Sequence, residues 1–268
     1  MQTPWTRKLR MGMIGGGQGA FIGGVHRMAA ALDGQIELTA GVFSRDWNNT
    51  QKTARDLYLD SSRVYRSADE MAAAEAKRPR SDRLDFVSIV TPNDAHFGPA
   101  KAFLEAGFHV VCDKPLTKTI EEAEALVMIV ERTGCVFALT HNYTGYPLVR
   151  HARELFHSGE MGVVRKVIVE YLQDWLMEPL EKKGSKQASW RTDPAQSGIG
   201  GALGDIGTHA LNLVEFVTGL SHTTWKPASR NAFAGPKCAS FGVTMLTKSR
   251  RSDAGRFASA AAISSALR

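Results

Sequence analysis

Leu9-Arg-Met-Gly-Met-Ile-Gly-Gly-Gly-Gln-Gly-Ala-Phe-Ile-Gly-Gly-Val-His26 is the stretch on which the fold turns. Its apolar run, residues 11–14, reads as a buried parallel strand. The run breaks into Gly15, Gly16, Gly17 and Gly19, after which apolar residues return at helical spacing. In such a strand–turn–helix, Gly15 permits a tight turn and Gly17 lets the backbone approach a pyrophosphate. The small Ala20 is expected to let the helix pack close to the strand. The anion would rest on amides at the positive end of the helix dipole. Gln18, Gly19 and Phe21 lie on the same bend and are its further candidate contacts. Glycine-rich turns of this kind also serve plain structural ends and methyltransferase sites, so the motif decides nothing alone.

At 268 residues the chain has room for one large domain or two modest ones, and 43% hydrophobic with 22% charged residues is ordinary globular composition. No apolar run approaches the roughly 20 residues of a membrane-spanning helix. Arg7, Lys8 and Arg10 precede an apolar run that dissolves into glycine, which suits a first strand and not a secretory signal. Cys112, Cys135 and Cys238 lack metal-ligand spacing, so we expect no metal, no disulfide framework and a cytoplasmic location. The net charge of +6 hints at nucleic acid, but residues 221–268 hold eight basic side chains against Asp253 alone. The excess therefore belongs to the tail, and residues 1–220 carry no footprint for DNA.

Further along, residues 36–43 read as a second strand ending at Ser44-Arg45-Asp46. A carboxylate there would accept from an adenosine ribose, whereas the Ser44 hydroxyl and Arg45 guanidinium favour a 2′-phosphate. The reading leans slightly to NADP over NAD; a solvated turn with Asp46 as a helix cap is the plain alternative. Helical patterns follow at 48–58 and 68–76, separated by Val64-Tyr65. Residues 85–90 form a buried strand stopped by Thr91-Pro92-Asn93, with Asn93 or Asp94 expected to cap a helix over 95–106. Ligands of open parallel sheets bind at the carboxyl ends of strands, which places Thr91, Pro92, Asn93 and His96 on a cofactor's path. Strand 108–112 ends in Asp113-Lys114-Pro115, helix 120–132 opens with Glu121 and Glu122, and 136–139 is a sixth strand. Through about residue 140 the chain thus reads as an α/β, doubly wound parallel sheet.

Beyond it the pattern changes. Residues 146–157 read as a helix, 163–175 as a long, partly alternating strand, and 178–187 as a polar loop before Trp190-Arg191. In Gly204-Asp205-Ile-Gly-Thr-His209 the acid and the imidazole stand four apart, sharing one face if helical. Such a pair suits proton abstraction near neutral pH; a capping Asp205 with a half-buried His209 is the structural alternative.

Together, the glycine loop, Thr91-Pro-Asn-Asp-Ala-His96, Asp113-Lys114-Pro115 and Gly204-Asp205-Ile-Gly-Thr-His209 resemble the Gfo/Idh/MocA family of nicotinamide-dependent oxidoreductases. The resemblance spans residues 9–220 in family order. It implies a Rossmann domain (1–140) followed by an α/β substrate domain with an open sheet (141–220). It implies hydride transfer between a sugar- or inositol-like secondary alcohol and NAD or NADP. His209 would be the general acid/base, Asp205 would orient the substrate, and Lys114 would lower the hydroxyl's pKa. Tyr143, Trp190 and Arg191 would touch the sugar, and Thr91, Asn93, His96 and Asp113 would attend the cofactor. Two departures stand out: residues 21–25 lengthen the loop before His26, and the family's C-terminal strands are not evident from Ser221 onward. Residues 221–268 therefore read as an atypical basic tail, frameshifted or disordered, leaving the substrate domain incomplete and strand 163–175 without neighbours. Homo-oligomerisation is in doubt for the same reason. A catalytically inactive nucleotide-binding protein of the same fold is the rival expectation, with a methyltransferase a distant third.

Overall fold

The computed structural model describes residues 7–162, 166–198 and 200–219, together with the backbone of 225–227 and 241–246. The chain divides into two compact units, Met1–Ala138 and Leu139–Arg268.

In the first unit strands and helices alternate: β1 (Leu9–Gly15), α1 (Ile22–Ala31), β2 (Ile36–Val42), α2 (Trp47–Asp56), α3 (Ala68–Ala76), β3 (Phe86–Val90), α4 (Phe97–Glu105), β4 (His109–Cys112), α5 (Ile120–Thr133) and β5 (Phe137–Leu139). The strands form one five-stranded sheet in the order β2-β1-β3-β4-β5. β1 pairs in parallel with β2 on one side and β3 on the other, and Gly15 aligns with Val90. The winding reverses between these two strands, so a crevice opens beyond their carboxyl ends. Every residue of β3 is buried, as a strand covered on both faces requires. Neighbours in β1 point to opposite faces. Met13 joins a cluster with Phe43 and Ala54, while Ile14 joins Phe103, Leu104 and Leu126 from α4 and α5.

Local chemistry sets the helix ends. Ser67 and Thr119 cap α3 and α5 by accepting from Glu70 and Glu122 amides, and Gly134 closes α5 at φ +66°. The helix expected over 95–106 begins instead at Phe97, because a short 3-10 turn, Asn93–Ala95, intervenes and no side chain caps it. The count of six strands is also corrected. Val64 makes only an isolated parallel bridge to Gly41, since the following Ser67 cap starts a helix before a strand can extend.

Behind β2 lies an ion network. Arg63 forks onto the fully buried Glu75 at 2.5 and 3.0 Å, and Tyr65 donates to the same carboxylate at 2.9 Å. Burial first, then the Glu75 hydrogen bond, push the Tyr65 phenol up to about 12.

The second unit contains α6 (Pro147–His157), β6 (Lys166–Tyr171), α7 (Lys186–Thr192), α8 (Pro194–Ser197), α9 (Thr208–Thr218), β7 (Trp225–Pro227) and β8 (Phe241–Leu246). Two expectations fail here. α7 starts inside the stretch read as a loop, with the Ser185 hydroxyl capping it by accepting from Ala188 N. Strands also exist beyond residue 220: β8 pairs antiparallel with β6 over Lys166–Tyr171 and with β7, giving a sheet of order β6-β8-β7. β6 is therefore not left without neighbours. The basic side chains of 248–268, and the suggestion of disorder there, lie outside the described residues. Among the described residues no helix is long and apolar enough to cross a membrane.

Removing one partner of a buried ion pair strands the other in low dielectric. Glu75→Ala is therefore expected to cost about 3–5 kcal/mol in urea denaturation. The exposed Lys183–Glu178 pair serves as control, with Lys183→Ala costing below about 1 kcal/mol.

Candidate active site

In the first unit the candidate residues gather at the carboxyl ends of β1, β2, β3 and β4. Gly15 and Gly16 adopt φ of +88° and +74°, which L side chains rarely adopt. The turn that follows is pressed against the helix it feeds: a Cβ built on Gly23 would lie 2.3 Å from the Gly16 Cα. Gly23, not Ala20, is thus the residue whose smallness lets α1 approach β1. Ala20 is exposed and precedes the helix, because the loop runs on to Phe21 before α1 begins. Gly17 is constrained by the protein as well, since a Cβ there would meet Asn49 Oδ1 at 2.5 Å and the Phe43 carbonyl oxygen at 2.8 Å.

Side chains hold the bend from both flanks. The Gly17 amide donates to the Phe43 carbonyl at 3.0 Å. The Gln18 amide donates to Asn49 Oδ1 and Thr53 Oγ1, each at 3.0 Å, while its side chain donates to Asp56 at 2.5 Å. Arg27, on α1, donates back to the Gly16 carbonyl at 2.9 Å. No side chain caps α1 and no acid sits in its first turn, so among the described residues its first amides keep no side-chain acceptor and suit an anion. This cradle, too tight for a Cβ and ending on an uncapped helix, fits a dinucleotide's diphosphate. Gly19 and Phe21 are exposed on its rim.

At the end of β2, Asp46 is committed as the α2 cap, accepting from Asn48 N at 2.9 Å. The Ser44 hydroxyl accepts from Asp46 N at 3.1 Å, and Arg45 is exposed. Past β3, Thr91 Oγ1 donates to the Ala95 carbonyl at 2.8 Å, Pro92 leads into the 3-10 turn and Asn93 is buried. His96 corrects an expectation. It is wholly enclosed, with Nδ1 2.8 Å from the Pro115 carbonyl oxygen and Nε2 2.9 Å from that of Thr91. The ring lies beneath the two loops and offers a cofactor no face. Asp113 accepts from the Lys114 amide at 2.9 Å, and Lys114, half-buried, heads the loop after β4. His26 hydrogen-bonds Ser88 Oγ at 2.9 Å; burial lowers its pKa, partly opposed by the Asp113 charge.

In the second unit the acid and imidazole of the Gly204–His209 motif lie on one continuous helical run, but on unusual backbone. Asp205 lies in a π-helical turn, Leu203–Gly207, that runs straight into α9. Such widened turns are frequent at functional sites. Asp205 is therefore inside the helical run and not its cap. It takes an ion pair from Arg191 Nε at 3.2 Å. Arg191 also donates to Gln187 Oε1 at 2.7 Å and lies 4.1 Å over the Trp190 ring. So two residues read as touching the sugar act in the protein first as supports for Asp205. His209 is buried, and its ring lies 4.7 Å from that of Tyr143, 5.5 Å from His141 and 6.3 Å, stacked, from Tyr171. The Tyr143 and Tyr171 hydroxyls are 2.5 Å apart, and burial, then this hydrogen bond, raise the Tyr143 pKa. Tyr171 and His141 went unread as site residues. For Tyr171 the signal was available, since Val167, Val169 and Tyr171 alternate on β6 with exposed Lys166, Ile168 and Glu170. Among the described residues no group of three or more His, Cys, Asp or Glu could hold a metal.

Comparison with known proteins identifies the family. Residues 9–141 match a family described as an oxidoreductase family with an NAD-binding Rossmann fold, and residues 149–246 match the GFO/IDH/MocA C-terminal domain. An oxidoreductase from Sinorhizobium meliloti is 43% identical, with a TM-score of 0.72 over 86% of this chain and 58% of its own. An inositol dehydrogenase homolog from Azotobacter vinelandii, solved with NADH and myo-inositol, is 34% identical, with a TM-score of 0.72 over 83% and 54% of the two chains. Levoglucosan dehydrogenase from Pseudarthrobacter phenanthrenivorans is 31% identical over 227 residues, 80% of this chain and 52% of that enzyme. The chain thus spans little more than half the length of these relatives. Because the Gly16–Gly23 contact leaves no room for a side chain, Gly23→Val is expected to weaken NADH or NADPH binding at least about tenfold, or 1.4 kcal/mol, in a nicotinamide fluorescence titration.

Proposed function

The chain belongs to the Gfo/Idh/MocA family of oxidoreductases, and from that premise we propose that it catalyses NAD(P)-dependent oxidation and reduction of a sugar- or inositol-like secondary alcohol. The observation that carries the reading is the cluster in the second unit. An Arg191-paired Asp205 and an imidazole flanked by two tyrosines are carried by one helical run. The names of the relatives, an inositol dehydrogenase homolog and a levoglucosan dehydrogenase, support a polyhydroxylated substrate.

A nicotinamide, when bound, would supply the hydride acceptor, or the donor in the reverse direction. The protein's part is the proton. As the substrate C–H pair leaves as hydride, the O–H bond breaks, its electrons form the carbonyl, and the proton passes to His209 as general base. Lys114 would stabilise the developing oxyanion by its positive charge. Asp205, ion-paired with Arg191, would accept from a substrate hydroxyl and set the sugar's orientation. Tyr143 and Tyr171 offer hydroxyls of the kind that read a polyol, with Trp190 supporting Arg191. The end of β2 favours NADP, because the nearest carboxylate, Asp46, is spent on capping α2 while Arg45 is exposed.

With a panel of inositols and aldoses, reduced-nicotinamide absorbance should appear for the wild-type chain. Lys114→Met and His209→Ala should each lower kcat about 10²–10⁴-fold while leaving cofactor affinity within a few-fold. Cofactor binding without turnover on any polyol would select the inactive nucleotide-binding alternative. Arg45→Asp should shift preference toward NADH, read as the ratio of the two Kd values; an unchanged ratio refutes the NADP reading.

A further inference from the structure

Glycine-rich backbone has little conformational preference of its own, so a bend built from it must be held by something else. After β1 the hold comes from one side chain on α2. Asn49 Oδ1 accepts from the Gln18 amide at 3.0 Å, and Asn49 Nδ2 donates to the Gln18 carbonyl at 3.1 Å. A carboxamide carries an acceptor and a donor side by side. It therefore matches the N–H and C=O of one residue as a neighbouring strand would. Thr53, one turn further on, closes the set: its hydroxyl accepts from the Gln18 amide at 3.0 Å and donates to Asn49 Oδ1 at 3.1 Å. Asn49 also abuts Gly17, where an added Cβ would lie 2.5 Å from its Oδ1. We infer that Asn49, propped by Thr53, is a positioning residue for cofactor binding, its side chain clasping both backbone groups of Gln18 and so fixing the bend that presents α1 to the diphosphate.

The clasp decides which amides remain for an anion. The Gly17 amide is turned to the Phe43 carbonyl, the Gln18 amide to α2, and the Ala20 amide back to the Gly17 carbonyl. The bend thus serves as a bracket, and the donors left to meet a diphosphate include those of the first turn of α1, which starts at Ile22. Asn49, Thr53 and Asp56 recur at helical spacing, and the Gln18 side chain donates to Asp56, so one face of α2 holds one residue of the loop. The same helix begins at the Asp46 cap, next to Ser44 and Arg45, to which the adenosine end of the cofactor was assigned above. α2 thereby ties the ribose end of the crevice to its diphosphate end, a role that rests on the NAD(P) reading already given.

ADP-ribose carries the diphosphate without the redox ring, and its calorimetric titration into the full chain reads this role. Losing both Asn49 hydrogen bonds in Asn49→Leu should weaken ADP-ribose at least about tenfold. Thr53→Val, nearly the same shape without the hydroxyl, should weaken it about three- to tenfold, and it carries the test if the leucine variant does not fold. Asn49→Asp separates the clasp from packing. Its carboxyl, when protonated, has the acceptor and donor of the asparagine, whereas the carboxylate only accepts and opposes the Gln18 carbonyl. The affinity of this variant relative to wild type should therefore recover as pH falls from about 8 toward the ordinary carboxyl range, roughly 4. The charged groups on the packed segments, Asp46 and Asp56 on α2 and Arg27 on α1, are common to both chains, so their titration cancels in the ratio. Wild-type binding with unweakened leucine and valine variants, or an Asn49→Asp ratio that is flat with pH, overturns the role alone. No binding of ADP-ribose by the wild-type chain overturns the nucleotide reading and this role together.

Discussion

The first unit depends on two backbones touching. Where Gly16 meets Gly23 there is room for hydrogen atoms and no carbon, and that distance sets how close α1 lies to the end of β1. Everything else about the nucleotide end of the sheet follows from it. The helix dipole points into the crevice at close range, the bend is stiffened by Arg27 and Gln18, and the first turn of α1 carries no acid to oppose an anion. Close packing makes such a contact cooperative with its surroundings: loosening it opens the turn, tilts the helix and lengthens the reach of its amides together.

How much of this was legible beforehand depended on whether the signal was local. The strand β1, the glycines after it and the buried run of β3 are written in contiguous residues, and so was the order of the sheet's elements. The identity of the third small residue was not. A spacing rule pointed to Ala20, but the loop runs on through Phe21 before α1 begins at Ile22, and only geometry reveals that Gly23 makes the contact. His96 failed for a similar reason. Its position past a strand end is visible in sequence, whereas its burial depends on a carbonyl contributed 19 residues later.

In the second unit the sequence offered weaker cues. The spacing of Asp205 and His209 was readable, but the π-helical turn between them is not, because no residue type signals it. α7 was hidden by polar residues that its Ser185 cap makes tolerable. The strands past residue 220 were missed because they are short and set among small and basic residues, where alternation has little length in which to show. Their reality lies in pairing, and pairing is a property of two distant segments at once.

That pairing also bears on how the polypeptide comes to its final form. The first sheet draws all its strands from one uninterrupted length of chain, so it can be completed while later residues are still leaving the ribosome. β6 has no such privilege. Its partner is β8, with α7, α8, α9 and β7 among the described elements between them in the chain, and until those residues emerge its edge must wait unpaired. The nascent protein therefore completes its first unit early and its second late, and the interval between the two is when chaperones have most to protect.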